Sequence, residues 1–276
     1  MPNNPWSNIS WNNTIANCDK GHSVVIGSGK NKRTVPFGSS AYVAYINRNN
    51  GKSQHPVGLT FDCLPDSFSG DINSNVYCLN MNPGKPDPDF CMSNDKCGLY
   101  EKYYKDMLCH LNPRNDLLFD GNNIVCNSVK YEASMTAISQ NIKSFKAAPN
   151  SFSPRPHIGD VWQRETWKQL RKVLGRDPKI FGIEFFPYHS TSGFPFPKDL
   201  PSNYYRNYLI DNAMKAGKLI IIMRKADEWY KDPVIGSKLK AYLNKVFLKN
   251  TQRVWLSPGN FIIPNHLTMD QVLNMF

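Results

Sequence analysis

No run of about 18 apolar residues occurs in this 276-residue chain, so a membrane-spanning helix is not expected. Met1-Pro2-Asn3-Asn4-Pro5 lacks the cationic start and apolar stretch of a secretory leader, so a cytoplasmic location is expected. The seven cysteines are odd in number and widely spread, which suits reduced thiols better than a disulfide framework. Cys91 and Cys97, followed by Cys109-His110, fit no tight zinc spacing. No Gly-x-Gly-x-x-Gly follows a strand-like run, which argues against a dinucleotide-binding dehydrogenase. Gly27-Ser28-Gly29-Lys30 lacks the full frame of a phosphate-binding P-loop. No internal repeat or low-complexity segment is visible.

Acidic residues are also scarce: 22 Asp and Glu stand against 33 Lys and Arg, for a net charge of +11. A basic chain favours polyanionic partners, with nucleic acid first and an acidic membrane surface second. Phe, Trp and Tyr make up 12% of residues, and aromatic faces beside cations suit exposed bases and phosphates. The apolar fraction of 41% supports a real core. The length suggests one large domain with elaborations.

Residues 1–60 are polar and rich in Asn, Gly and Ser. They read as an N-terminal elaboration with short strands at His22–Ile26 and Ala41–Ile46. Lys30-Asn31-Lys32-Arg33 is either a solvated loop or a phosphate contact. Residues 61–276 read as an α/β domain. Val76–Leu79 is an apolar strand that stops at Asn82-Pro83-Gly84. The stiff loop around Pro86 and Pro88 leads to a helix over Lys96–Leu111. A short helix is expected near Ala133–Phe145, and a linker at Ser151–Pro156. Asp160–Leu174 is a helix with Asp160 as cap and Gly175 as stop. Lys179–Phe186 is a strand, Ser202–Ala216 a helix closed by Gly217, and Lys218–Met223 an apolar central strand. The spacing predicts a helix over Ser237–Leu248, a fourth strand at Arg253–Leu256, and a last helix over Thr268–Phe276. This alternation implies a three-layer α/β/α fold on a four-stranded parallel sheet.

In such sheets ligands bind outside the carboxyl ends of the strands. Three polar segments fall there: Asn82-Pro83-Gly84, Tyr188-His189-Ser190 and Ser257-Pro258-Gly259-Asn260. Each is also an ordinary turn or loop, and their shared position carries the functional weight. Arg224 follows the third strand, placed for a phosphate contact. Lys168, Arg171, Lys172 and Arg176 lie on one helix and first suggest a solvated face.

Asn80-Met81-Asn82-Pro83-Gly84 resembles the Gly-x-Asn-Pro-Gly motif of the uracil-DNA glycosylase superfamily, with Asn80 in place of the first Gly. The family's fold, a four-stranded parallel sheet flanked by helices, matches the expected order over roughly residues 65–276. Its second motif lies after the last strand, where Ser257–Asn260 stands. The resemblance implies that Asn82 positions the water attacking the sugar carbon of a flipped nucleotide. Pro83 and Gly84 would shape the same turn, and Phe90 would stack on the base. Ser257 and Asn260 would meet the phosphate backbone or the gap left by the base. It implies a nucleic-acid partner, DNA before RNA, with no cofactor, no metal and no obligatory protein partner. The family's His-Pro-Ser or Asn-Pro-Ser core is replaced by Leu256-Ser257-Pro258. His189 could stand in for the missing His as an acid or electrophile. Glu184, with Tyr188 and Ser190 nearby, occupies the base-reading neighbourhood. It is either buried and paired or an acceptor for an exocyclic amine, which favours a base other than uracil. A non-catalytic nucleic-acid-binding module on the same fold is the alternative.

Overall fold

The computed structural model describes residues 2–10, 12–48, 57–84, 158–176, 178–191, 195–252 and 254–276. The expected features at Phe90, Lys96–Leu111, Ala133–Phe145, Ser151–Pro156 and the later cysteines lie outside the described residues.

The N-terminal region forms a two-stranded antiparallel sheet, β1 (Ser23–Ile26) and β2 (Arg33–Pro36), followed by helix α1 (Ser40–Arg48). The strand expected at Ala41–Ile46 is therefore helix. The Ser39 hydroxyl accepts from the Tyr42 backbone N–H at 3.2 Å, an N-terminal cap. Tyr42 and Ile46, one helical turn apart, are the buried side.

The main sheet contains β3 (Phe68–Gly70), β4 (Val76–Asn80), β5 (Phe181–Glu184), β6 (Leu219–Ile222), β7 (Lys245–Leu248) and β8 (Phe261–Ile262). Its order is β3-β5-β4-β6-β7-β8. The inner four, β5-β4-β6-β7, are mutually parallel, and β3 and β8 join antiparallel at the two edges. In place of the expected four-stranded parallel sheet stands a six-stranded mixed one, in which β4, β5 and β6 are strands the sequence predicts and the fourth inner strand is not. The helices are α2 (Ile158–Leu174), α3 (Ser202–Lys215), α4 (Ala226–Tyr230), α5 (Gly236–Ala241) and α6 (Met269–Asn274).

Both faces of the central strands are covered, so β4 and β6 are apolar almost throughout and wholly buried. Alternate residues go to two separate cores. Tyr77, Leu79, Ile183, Ile220 and Ile222 pack with α3, with α4 and α5, and with N-terminal residues such as Trp6, Phe37 and Tyr42. Val76, Cys78, Leu219 and Ile221 pack with Trp167 and Leu170 of α2 and Val272 of α6. Gly182 of β5 is required where it stands. A Cβ there would meet the Ser69 Oγ of β3 at 2.3 Å.

Three further expectations change. The helix expected over Ser237–Leu248 ends at Ala241, and Lys245–Leu248 is the fourth parallel strand. The chain turns extended at Tyr242, and Asn244 donates to the Gly217 carbonyl, which sets the register beside β6. Val254–Leu256, expected as that strand, has no strand partner. It is held by Leu256 N–H donating to Thr166 O at 2.8 Å. Asp160 lies inside the first turn of α2, not at its cap. Thr268 does cap α6, in a reciprocal capping box with Gln271.

Candidate functional site

After β4 the chain crosses to β5 on one side, then returns past β4 to β6 on the other. The carboxyl ends of β4 and β6 therefore flank the point where strand order reverses, where ligands bind in open α/β sheets. Asn82-Pro83-Gly84 leaves β4 there, and Arg224-Lys225 leaves β6. Lys225 has φ 47° and is the one non-glycine at positive φ among the described residues. This conformation carries strain for a side-chain-bearing residue.

The turn after β4 and the loop after β5 are joined by hydrogen bonds. Asn82 Nδ2 donates to Ser190 Oγ at 3.0 Å and to Ser190 O at 3.3 Å. The Gly84 carbonyl accepts from Ser190 N–H at 3.1 Å. It also accepts from the His189 ring at 3.2 Å. A carbonyl oxygen only accepts, so the ring proton sits on Nδ1. Gly84 has φ 80°, so the turn suits glycine. These contacts fix the Asn82 amide and leave Oδ1 as its remaining acceptor. His189 is 4% exposed and serves as a buried connector.

Glu184 ends β5 in register with Asn80 of β4. Parallel partners share a face, so both lie on the α2 side of the sheet. The Asn80 amide donates to the Glu184 carboxylate. Glu184 Oε2 is shielded from solvent and has no hydrogen-bond partner. Burial, seconded by the charge of Asp66, holds this carboxyl well above the usual range, against the pull of Asn80 and Arg224. Arg224 is itself lowered by burial, with the Glu184 charge opposing. Its Nη2 donates to Gln252 O at 3.2 Å, and its Nε is buried without a partner. None of the described ion pairs joins Glu184 to Arg224. A buried carboxyl kept neutral can donate a hydrogen bond or a proton.

This sets a pH dependence of known sign. A carboxyl raised in the folded state lends stability below its unfolded value and loses it as pH rises through the folded one. Glu184→Gln is expected to melt with the wild type near pH 4 and increasingly above it towards pH 9. A gain of ~1 kcal/mol would read as about 2–4 °C for a chain of this size. Thermal melts across pH check this, and a wild type that gains on the variant as pH rises would mean a paired carboxylate.

The other expected residues lie elsewhere. Tyr188 is 1% exposed and sits among Trp6, Phe37, Phe61 and Phe186. Its hydroxyl donates to Asp19 Oδ2 at 2.8 Å. Ser257 precedes a short 3-10 turn, Pro258–Asn260, that leads into β8 and does not end a parallel strand. Asn260 accepts from Asn250 N–H at 2.9 Å and donates to Trp255 O at 2.8 Å, so it staples its own loop. That loop borders β7, two strand spacings or roughly 10 Å from β4. The site therefore gathers Asn82, Pro83, Gly84, Glu184, His189, Ser190 and Arg224, with Ser257 and Asn260 at one side. Asn80 and Asp66 shape the Glu184 environment but do not stand out in the sequence. Asn80 could have been found from the β alternation, which puts it on the face of a strand-end Glu.

No group of three or more His, Cys, Asp or Glu side chains among the described residues could hold a metal ion. No described helix is long and apolar enough to cross a membrane. Comparison with known protein families, characterised proteins and solved structures finds no match for this chain.

Proposed function

We propose that this chain is a nucleic-acid-binding α/β domain of the uracil-DNA glycosylase kind, hydrolysing the N-glycosidic bond of a base other than uracil. The observation that carries the reading is Glu184. Its carboxyl has a buried oxygen without a hydrogen-bond partner, makes no ion-pair contact among the described residues, and stands in one row with Asn80 beside the Asn82 turn. A neutral carboxyl can hydrogen-bond to, or protonate, the ring nitrogen of a departing purine. Asn82 Oδ1, with its amide fixed by Ser190, accepts from the attacking water. Arg224 and the exposed Lys225 and Lys249 offer phosphate contacts. Cleavage consumes water and needs no redox partner.

A second reading is a non-catalytic binding module. It is favoured by the commitment of both Asn82 amide protons and the His189 Nδ1 proton to local hydrogen bonds.

Oligonucleotides carrying hypoxanthine, xanthine, alkylated purines or uracil separate the two. Base release is expected from a modified purine. Asn82→Ala should lower it by about 10²–10³-fold, as loss of one preorganised polar group does, with binding within a few-fold of wild type. If every oligonucleotide stays intact but binds with a steep salt dependence, the binding module stands instead.

A further inference from the structure

We propose that the cavity between β1, α1 and the 195–199 segment binds a small organic ammonium ion, an amine carried on an apolar or aromatic body. The site shares no residue with the strand-end site and does not depend on its function.

The cavity measures about 390 Å3, within the roughly 300–1,000 Å3 of small-molecule sites. Val24, Ile26, Ile46, Tyr45 and Phe196 supply apolar and aromatic wall. Among the described residues, Asp199 is the one charged residue lining it, and no Lys or Arg does. The adjacent cation, Lys198, is engaged elsewhere, 3.1 Å from Glu228 Oε2.

The polar end is incompletely bonded. His22 Nε2 lies 3.6 Å from Asp199 Oδ2, beyond hydrogen-bond reach. That nitrogen is buried and has no hydrogen-bond partner. Tyr42 lines the cavity, and its hydroxyl is also buried without a partner. It lies close enough to Asp199 for that charge to disfavour its ionisation, after burial itself. Buried polar atoms are nearly always bonded, so two unbonded ones beside a ligand-sized cavity mark a place for a ligand. Asp199 Oδ2 and the Tyr42 oxygen can both accept. An ammonium carries three donors and no acceptor. Tyr45 and Phe196 are aromatic, and a ring face attracts a cation. The Asp199 carboxylate repels an anion.

Isothermal titration with 2-phenylethylammonium and its neutral isostere 2-phenylethanol, at one ionic strength, tests this. The ammonium is expected to bind folded protein at least ~10-fold more tightly than the alcohol. Asp199→Asn, a change at an exposed side chain, should remove that preference and keep alcohol binding within about twofold. Ile46→Trp should fill the cavity and abolish both. Equal binding of the two probes would overturn the proposal. So would a preference that survives Asp199→Asn, or no binding of either at ~10 mM, far above any useful site affinity.

Discussion

Asp232→Ala is expected to cost about 3–5 kcal/mol of folding stability, because it leaves an uncompensated buried cation. Its partner Arg206 is 4% exposed. All five guanidinium N–H groups have acceptors. Nε and Nη2 reach Asn207 Oδ1 at 3.1 and 3.0 Å, Nη1 reaches Asn203 Oδ1 at 3.1 Å, and the Phe185 carbonyl and Asp232 take the other two. The guanidinium carbon also lies 4.5 Å from the Phe185 ring centre and 5.3 Å from that of Trp229. Burial lowers Arg206 to about 10, with Asp232 opposing, so the charge remains at neutral pH. Asp232 Oδ1 meanwhile accepts from the N–H groups of Val234 and Ile235, fixing the chain that enters α5. Denaturant unfolding gives the loss directly. A cost below ~1 kcal/mol would mean that the charge escapes to solvent. Arg206→Met with Asp232→Leu should recover only the part due to the unpaired charge, since the Val234 and Ile235 N–H groups and the Phe185 carbonyl still lose their partners.

Asp19→Ala is the second large effect, expected at about 2–4 kcal/mol from three lost charge-assisted bonds in a buried site. Asp19 is fully buried. Its carboxylate accepts from Tyr188 OH at 2.8 Å, Ser202 N–H at 2.8 Å and Ser202 Oγ at 2.6 Å. Ser202 is the first residue of α3, and Pro201 before it offers no side-chain cap. Asp19 thus caps α3 from the other end of the chain. Asp19→Asn keeps an acceptor for Ser202 N–H and should cost roughly half as much. Chemical denaturation of the two variants decides this, and equal losses would show that shape, not the cap, matters. Both residues brace the chain just after β5: Arg206 at the Phe185 carbonyl and Asp19 at Tyr188.

Strands β4, β5 and β6 are legible because burial on both faces makes them continuous apolar runs. β7 is not. Lys245 and Phe247 are only half-buried, and Tyr242, Val246 and Phe247 continue the apolar spacing of the preceding helix. β8 has two residues and carries no pattern of its own. α1 misleads because Ala-Tyr-Val-Ala-Tyr-Ile can be taken as strand alternation, while Ser39, which decides the matter, lies just outside it. Site residues at strand ends are visible for a topological reason: parallel strands all end on one side. Their hydrogen bonds are invisible, because Asn82 meets Ser190 across 108 positions. So is the raised carboxyl of Glu184, which comes first from burial and then from the Asp66 charge in another segment.

The Asp19 brace bears on the order in which the protein can take shape. Its two partners follow by 169 and 183 residues. At synthesis rates of about 5–20 residues per second, a nascent Asp19 waits roughly 10–40 s for them. Trp6 and Phe37, which pack on Tyr188, wait as long. The segment around Asp19 is thus made well before the residues that hold it in place. Until then its aromatic residues stay open to holding factors and to other chains.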